Sequence, residues 1–548
     1  MLDSVTHEVG HEATDFVRLY HQATKHDFGR YANSPGYLDW STQPDPFRRF
    51  AGCDSLRLPL EASATTASFS DLFKAGAVPM GRMEAESVGV LLELSFGLSA
   101  WKQHGPDRWA LRCNPSSGNL HPTEAYVLAS GVAGLADGVH HYVSFNHALE
   151  QRCKAELPAR GLWLGLSSIH WREAWKYGER AFRYCQHDIG HALGALRYAA
   201  GVLGWKVRLL DDWSDVNIAS LLGLDRQADF SEAEGEAPDL LCRLYPSGHV
   251  DTEEAGMDHM LAAVRAGRWT GSANRLSAEH RHDWPIIEQV ARATNKPRTI
   301  PTSFANRTEP LLPLGYCDWS AADLIRQRRS AQAFDGKTAL TVQSFYRMLD
   351  ATLPRTGIPP FDAWPWAPRV HLVLFVHRVE GLRSGLYLFC RRPGVAGEFR
   401  RRMKEAFLWE KVKDCPERFE LYLLFAGNTR EAASTLSCHQ EIASDGAFSL
   451  GMLAVYEESL RDGPWIYRRL FWETGMIGQV LYLEAEAAGV RGTGIGCFFD
   501  DPVHKTLGLT DEYFQSLYHF TVGGPLIDAR LRTLPPYAHL SAGPGEAD

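Results

Sequence analysis

The sequence predicts an α+β chain built from two similar halves, a duplicated domain. The first observation behind this is length: 548 residues exceed what one hydrophobic core supports. The second is an internal match. RAFRYCQHDIGHALGALRYAAGVLG (180–204) lies over YRRLFWETGMIGQVLYLEAEAAGVRG (467–492), pairing Gly190 with Gly478 and Gly204 with Gly492 at an offset of 288 (478 − 190). The third is a strand pattern directly after each of these helices, ending in paired acids, Asp211-Asp212 and Asp500-Asp501. Self-similarity at a fixed offset marks a repeated unit.

Taken in order, residues 1–85 mix short helical pieces with Pro-containing turns and read as an N-terminal extension wrapping a later core. The first domain spans 86–265. VGVLLELSFGLSAW reads as helix, and TEAYVLASGV as a helix-to-strand stretch after a Gly/Ser/Pro-rich loop. GLADGVHHYVSFNHALEQR reads as a hairpin turned at Asp137-Gly138. Trp171 to Tyr198 reads as one long helix. Its second half carries Ile189, Leu193, Leu196 and Ala200 on an ordinary amphipathic stripe, and its first half is dense in charge and aromatic rings. WKVRLLDD (205–212) is a strand candidate. Residues 266–315 form a polar, Pro-containing connector with a short helix near Ile286–Ala293. The second domain spans 316–540 and opens on Ser320 as an N-cap. It continues through strand-like RVHLVLFVHRV and ELYLLFAGN to a long helix from Trp465 to Ala488, and residues 541–548 read as a flexible tail.

Composition narrows the function classes. Hydrophobic content of 45% with 22% charged residues is that of a soluble globular protein. A net charge of −9 without a Lys/Arg-rich block argues against nucleic acid. No signal-peptide pattern and no membrane-spanning apolar run are evident, so the expectation is a cytoplasmic chain whose ten scattered cysteines are reduced. No metal is expected: His187 and His191 sit one helical turn apart but lack a third ligand. The absence of a strand-linked G-x-G-x-x-G and of a P-loop argues against a Rossmann nicotinamide site or an NTPase.

The repeat is lopsided. Only the first half holds Lys176-Tyr177 and the NPSSGNLHP loop; Pro464 and Trp465 stand at the Lys-Tyr positions of the other. Only the second holds Arg328-Arg329-Ser330 and Gly492-Thr-Gly494-Ile-Gly496. Two halves that each lack a different part predict one composite site. Arg328 and Arg329 supply planar forks suited to phosphate, with a solvated basic turn as the alternative. Gly494 and Gly496 let backbone N–H groups approach a flat ligand, or else mark a bulge. Pro115, Ser116, Ser117, Gly118 and Asn119 offer hydroxyl and amide groups to the polar edge of a heterocycle, or form a plain loop.

These stretches resemble a known family. RRSAQAFDG (328–336) resembles the FMN-phosphate entry of the nitroreductase superfamily. RCNPSSGNLHPTEAY (112–126) and WKYGERAFRYCQHDIGHAL (175–193) are similar to its thiazole/oxazole (azoline) dehydrogenase, SagB-type, branch. The resemblance covers roughly 85–265 and 315–540. It implies FMN held between two subunits, here between two fused domains, each an antiparallel-rich sheet flanked by helices, that form a pseudo-dimer. Arg328, Arg329, Ser330 and Arg530 would hold the phosphate and ribityl chain, and Gly494, Ile495 and Gly496 would line the isoalloxazine edge. Arg112, Pro115, Ser116, Ser117 and Asn119 would close over it. Gln332 stands where the family carries a basic residue. The mirror-related site, with WPWAPR (364–369) in place of the P-S-S loop, would be empty. By the same resemblance Lys176-Tyr177 is the proton-abstracting pair of an azoline dehydrogenase. A Lys desolvated near Arg180 or Arg183 favours its neutral form and suits a general base. The alternative for the pair is packing, or ion pairs with Glu173 and Glu179.

The function implied is an FMN-dependent oxidoreductase acting on a small heterocyclic, peptide-derived or amine substrate, with biosynthetic partner proteins possible. A NAD(P)H-dependent nitro or quinone reductase and a non-catalytic flavin-binding scaffold subunit are the alternatives.

Overall fold

The computed structural model describes residues 2–248, 256–315 and 318–541; Cys317 and residues 542–548 of the expected tail lie outside them. Two antiparallel sheets share one order of six strands and differ in the short edge strand that precedes them. In the first the order runs Arg268–Trp269, Ala148–Lys154, Gly138–Val143, Thr123–Ser130, Gly161–Ser168, Ala237–Pro246, Trp205–Leu209, with Asp54–Arg57 beside Ala148–Lys154. In the second it runs Glu410–Lys411, Glu420–Ala426, Gly385–Cys390, Val370–Val376, Phe448–Val455, Phe514–Gly523, Arg491–Ile495. A small third sheet joins the halves: β1 (Leu98–His104) pairs with β2 (Asp107–Arg112) on one side and with Arg532–Leu534, from the end of the chain, on the other. The equivalent edge strands that close these orders are β3 (Trp205–Leu209) in the first half and β4 (Arg491–Ile495) in the second.

Helix α1 (Leu2–Ala23) precedes the sheets, and α2 (Ala85–Ser95) leads into β1. The expected single helix from Trp171 is two: α3 (His170–Tyr177) and α4 (Ala181–Val202). The break is at Gly178, whose φ of 55° lies in the left-handed region. A Cβ there would meet the Asn33 carbonyl oxygen at 2.3 Å, so the 31–36 segment presses into a gap only glycine leaves. Helix α4 is also not an ordinary amphipathic stripe, since nearly every residue in it is buried. Two other expectations change. The helix read through Trp101 ends at Ser95, and Leu98–His104 is strand; the chain turns between them at Gly97, which lies so close to the Glu93 carbonyl of the last turn that a Cβ would not fit. The hairpin turns at residues 144–147, with Val143 opposite Ala148, and Asp137-Gly138 instead ends the preceding loop. Ser320 caps α5 (Ala321–Gln327) as expected, accepting from the Asp323 N–H at 3.3 Å, and the connector helix is Pro285–Ala293.

The core of the molecule is the contact of α4 with α6 (Ile466–Ala487), each 22 residues long. A Cβ on Gly190 would sit 2.1 Å from the Trp472 carbonyl oxygen, and one on Gly475 would sit 2.1 Å from that of His187. The two glycines let the backbones touch, as close helix crossings require. This symmetry corrects the repeat register to 285 (475 − 190) in place of 288. Across the same axis ion pairs are exchanged. Arg183 and Arg180 reach Asp500, at the start of α7 (Asp500–Leu507), at 2.8 and 3.0 Å. Arg468 reaches Asp215, at the start of the helix Asp215–Leu222. Both 468 − 183 and 500 − 215 equal 285. The structurally equivalent acids are therefore Asp215 and Asp500 in place of Asp211 and Asp500. Burial alone would raise the Asp500 carboxyl, but Arg180 and Arg183 hold it well below the usual carboxylate range.

Candidate functional site

A cavity of about 450 Å³ opens between the halves, within the range of small-molecule sites. The first half supplies Arg112, Pro115, Ser116, Ser117, Asn119 and Tyr177 to its lining. The second supplies Arg328, Arg329, Ser330, Gln332 and the strand end Gly494, Ile495 and Gly496. Lys176 stands just behind the lining and Arg530 outside it. The Arg530 side chain is 78% exposed and forks onto Asp528, which lines the cavity, at 2.7–2.9 Å.

One end of the cavity is cationic. Arg328 is buried at the end of α5; it donates to the Arg112 carbonyl at 3.1 Å, stacks over Tyr482 at 5.0 Å and leaves its Nε–H without a partner. Burial lowers its pKa. Arg329 spends three bonds on the carbonyls of Arg326, Arg328 and Ser99, and burial with the neighbouring Arg328 pushes it down to about 10. Arg112 likewise holds backbone carbonyls, of Pro46 and Thr123, so it braces the loop. Lys102 on β1 and Arg491 on β4 complete the positive end. Neither was singled out from sequence, although strand alternation places Arg491 and Thr493 on one face with Ile495.

The strand end is flat because nothing fits upon it. A Cβ on Gly494 would lie 1.9 Å from the Tyr518 hydroxyl, and one on Gly496 would lie 2.3 Å from the Tyr184 ring. The expectation that the Gly494 N–H faces a ligand is corrected. It donates to the Tyr482 hydroxyl at 3.0 Å, which also bonds Ser330 Oγ at 2.8 Å.

The opposite end is the 115–119 loop. Gly118, Asn119 and His121 all have φ between 52° and 60°, a conformation non-glycine residues hold at a cost of order 1–3 kcal/mol each. Side chains hold it there: Asn119 donates to the Ala110 carbonyl at 2.9 Å, and Ser116 Oγ accepts from the His121 N–H at 2.8 Å. Beneath it lies Asp188 of α4, accepting from the Ser117 N–H at 3.1 Å and Oγ at 3.2 Å. Burial pushes the Asp188 carboxyl up to about 7. Glu173 beside it is fully buried with neither carboxyl oxygen bonded, and burial together with Asp188 raises its pKa well above the usual value. The sequence offered Glu173 only as an ion-pair partner for the Lys-Tyr pair and did not single out Asp188, because each reads there as one more helical charge.

Above the loop stand the Lys-Tyr pair. A Cβ on Gly118 would touch the Tyr177 hydroxyl at 2.5 Å and Lys176 Nζ at 3.1 Å. Lys176 Nζ lies 5.9 Å from the Trp40 ring and 5.2 Å from that of Tyr177. Desolvation lowers its pKa and Glu173 opposes that. The expected influence of Arg180 or Arg183 is not what acts on it, since both guanidiniums are committed to Asp500. His187 pairs with Thr474 and His191 with Tyr518, and the described residues contain no cluster of metal-ligating side chains. Among the described residues no helix is long and apolar enough to cross a membrane.

No family model and no curated protein matches the chain. Among solved structures, one from Anabaena variabilis assigned as a nitroreductase superposes with a TM-score of 0.65 at 20% identity, covering 93% of this chain and 99% of that one. Partial matches include the Escherichia coli microcin synthetase McbBCD complex with truncated pro-MccB17 bound (TM-score 0.26, 20% identity, 46% of this chain and 98% of that one). Another is an FMN-containing oxidoreductase (TM-score 0.20, 14% identity, 41% and 84%). The full-length superposition shows that the chain has the nitroreductase fold, with two such domains in one polypeptide.

Proposed function

We propose that this chain is an FMN-dependent oxidoreductase that oxidises a small heterocyclic, azoline-like or amine substrate, with Lys176 as base and Tyr177 beside it. The observation that carries the reading is the 115–119 loop, which touches Lys176 and Tyr177 through Gly118 and closes a cavity whose far end is cationic. The residues fit FMN. Arg328, with a free Nε–H, and Lys102 and Arg491 suit its phosphate, while the glycine wall suits a flat ring system. The buried Asn114 lines the cavity with its Oδ1 unpartnered, a free acceptor for a hydroxyl or ring N–H. Bound FMN would supply the hydride acceptor.

Turning a C–N single bond of a ring into a double bond removes a hydride and a proton. Lys176, half buried among Trp40 and Tyr177, has its neutral amine favoured by desolvation and takes that proton; Tyr177 positions it. Substrates of this kind are small or peptide-derived, and a peptide would be delivered by a partner protein.

The test is anaerobic bleaching of reconstituted protein by a panel of thiazolines and cyclic amines. Lys176→Ala should slow bleaching about 10²- to 10⁴-fold with FMN content unchanged. The wild-type rate should rise with pH, because the base acts deprotonated. A variant that keeps full rates, reduced equally well by NAD(P)H, would move the assignment to a nitro or quinone reductase. FMN binding with no turnover on any donor would leave the scaffold subunit.

A further inference from the structure

Two cysteines meet at the cavity wall. Cys497 follows the glycine strand end and lines the cavity; Cys438 follows the helix Arg430–Leu436. Their sulfurs are 2.8 Å apart, closer than unbonded sulfurs pack and a short movement from the 2.03–2.05 Å of a bond. Both are partly exposed, whereas most of the other described cysteines are buried.

The surroundings hold the two segments together. Gln440 donates through one amide nitrogen to the Ser437 carbonyl at 2.8 Å and the Cys497 carbonyl at 3.0 Å, clasping both chains. The Phe499 N–H donates to the Leu436 carbonyl at 2.9 Å, and Arg180 donates to that of Gly496 at 3.2 Å. Cys438 and His439 sit at φ of 54° and 59°, strained values that aim the Cys438 side chain at its neighbour. His26 faces Cys497. Because its Nδ1 accepts from the Ala32 N–H at 2.9 Å, its proton is on Nε2, the nitrogen left to donate to sulfur.

We propose that Cys438 and Cys497 are a reversible two-electron dithiol/disulfide couple at the cavity wall, with Cys497 the attacking sulfur and Cys438 the resolving one. The oxidant is a low-molecular-weight disulfide. The Cys497 thiolate attacks one of its sulfurs, forming a mixed disulfide and expelling one thiolate. Cys438 then gives up its proton and attacks the Cys497 sulfur, expelling the second. Two protein thiols are oxidised to one disulfide and one small disulfide is reduced to two thiols. The hydrogen bond from Cys438, with that from His26, lowers Cys497 to about 5, whereas the same bond raises Cys438. The other groups facing Cys497 are Arg180, Tyr184, Tyr177 and Tyr31, and Tyr31 and Asp500 face Cys438.

The experiment is equilibration of the full chain in glutathione disulfide, acid quench, alkylation and peptide mass analysis. A peptide linking Cys438 to Cys497, loss of two alkylatable thiols and full reversal by dithiothreitol are expected. Cys438→Ser should instead trap glutathione on Cys497. Both thiols remaining free in excess glutathione disulfide, or no glutathione trapped on Cys497 in Cys438→Ser, would overturn the couple. Neither readout depends on bound flavin.

Discussion

In the cleft closed by the 115–119 loop, β4 ends in Gly494, Ile495 and Gly496. In the cleft across the α4–α6 contact, the 285 register puts Leu209, Leu210 and Asp211 at those positions (494 − 285 = 209), since Leu209 pairs with Cys242 as Gly494 pairs with Phe520. The first cleft has a Pro-Ser-Ser loop before its central strand; the second has Trp364, Pro365 and Trp366, with Arg469 lying 3.9 Å over the Trp366 ring. Connector residues Thr302, Ser303 and Phe304 also line it, and about 230 Å³ is left against about 450 Å³. The helix positions are the same. Asp188 and Glu473 are equivalent in the 285 register (473 − 188), and each accepts an N–H from its loop, Ser117 at 3.1 Å and Arg369 at 3.0 Å. One frame therefore yields an open polar site or a packed joint according to whether glycine or leucine ends the strand and serine or tryptophan fills the loop.

The equivalent carboxylates give the sharpest contrast. Glu473 is bonded to Arg391, whose side chain is fully buried, so Glu473→Ala strands a guanidinium and should cost about 3–5 kcal/mol by denaturant unfolding. Asp188 has no cation, only an N–H and a hydroxyl. Its folded pKa, about 7, lies above the ordinary 3.8, so stability is full below pH 4 and is lost as pH rises through 7. At about 1.36 kcal/mol per unit the loss is at most about 4 kcal/mol. Asp188→Asn removes the titration, so thermal melts of the flavin-free variant should exceed wild type at pH 8 and converge with it near pH 4. Parallel pH profiles would mean that Asp188 is ionised at no cost and that the two carboxylates are alike.

Flavin binding tests the clefts themselves. Released FMN should come to about one per chain; two would mean that the narrow cleft also opens. Arg328→Ala removes charge-assisted bonds worth about 1.5–3 kcal/mol and should weaken FMN about 10- to 100-fold by fluorescence titration. Arg469→Ala, in the other cleft, should leave FMN affinity unchanged. An equal loss from both variants would erase the distinction between open and packed clefts.

Much of this was legible in sequence, and the misses share a cause. Helix pairing, the Arg328-Arg329 pair, the 115–119 loop and the glycine strand are local patterns, and the structure brings them together around one cavity. The register came out three residues wrong because Gly190 was matched to Gly478, whereas Gly475 is the glycine that Gly190 meets. Glycine marks close approach but not the partner; the exchanged pairs Arg183–Asp500 and Arg468–Asp215 do. Asp188 and Tyr482 were missed, and Glu173 was read only as an ion-pair partner, because their chemistry is set by what is placed opposite them; the Arg530 guanidinium is paired with Asp528, two residues away, which itself lines the cavity.

Tyr482 also gives the smallest expected effect. Its equivalent is Arg197 (482 − 197 = 285), which binds Asp362 through two 2.8 Å bonds and helps lock the packed cleft. In the open cleft Tyr482 bridges Ser330 and the Gly494 N–H while its ring supports Arg328. Tyr482→Phe keeps the ring and removes only the bridge. Ser330 is exposed and Gly494 lies on the cavity wall, so water can replace the hydroxyl, and the stability cost should be no more than about 1 kcal/mol. FMN affinity should change less than about threefold, because Arg328 keeps its ring support. A gain of tenfold or more would show that the freed Gly494 N–H binds the ligand directly, and that Tyr482 competes with it for that donor.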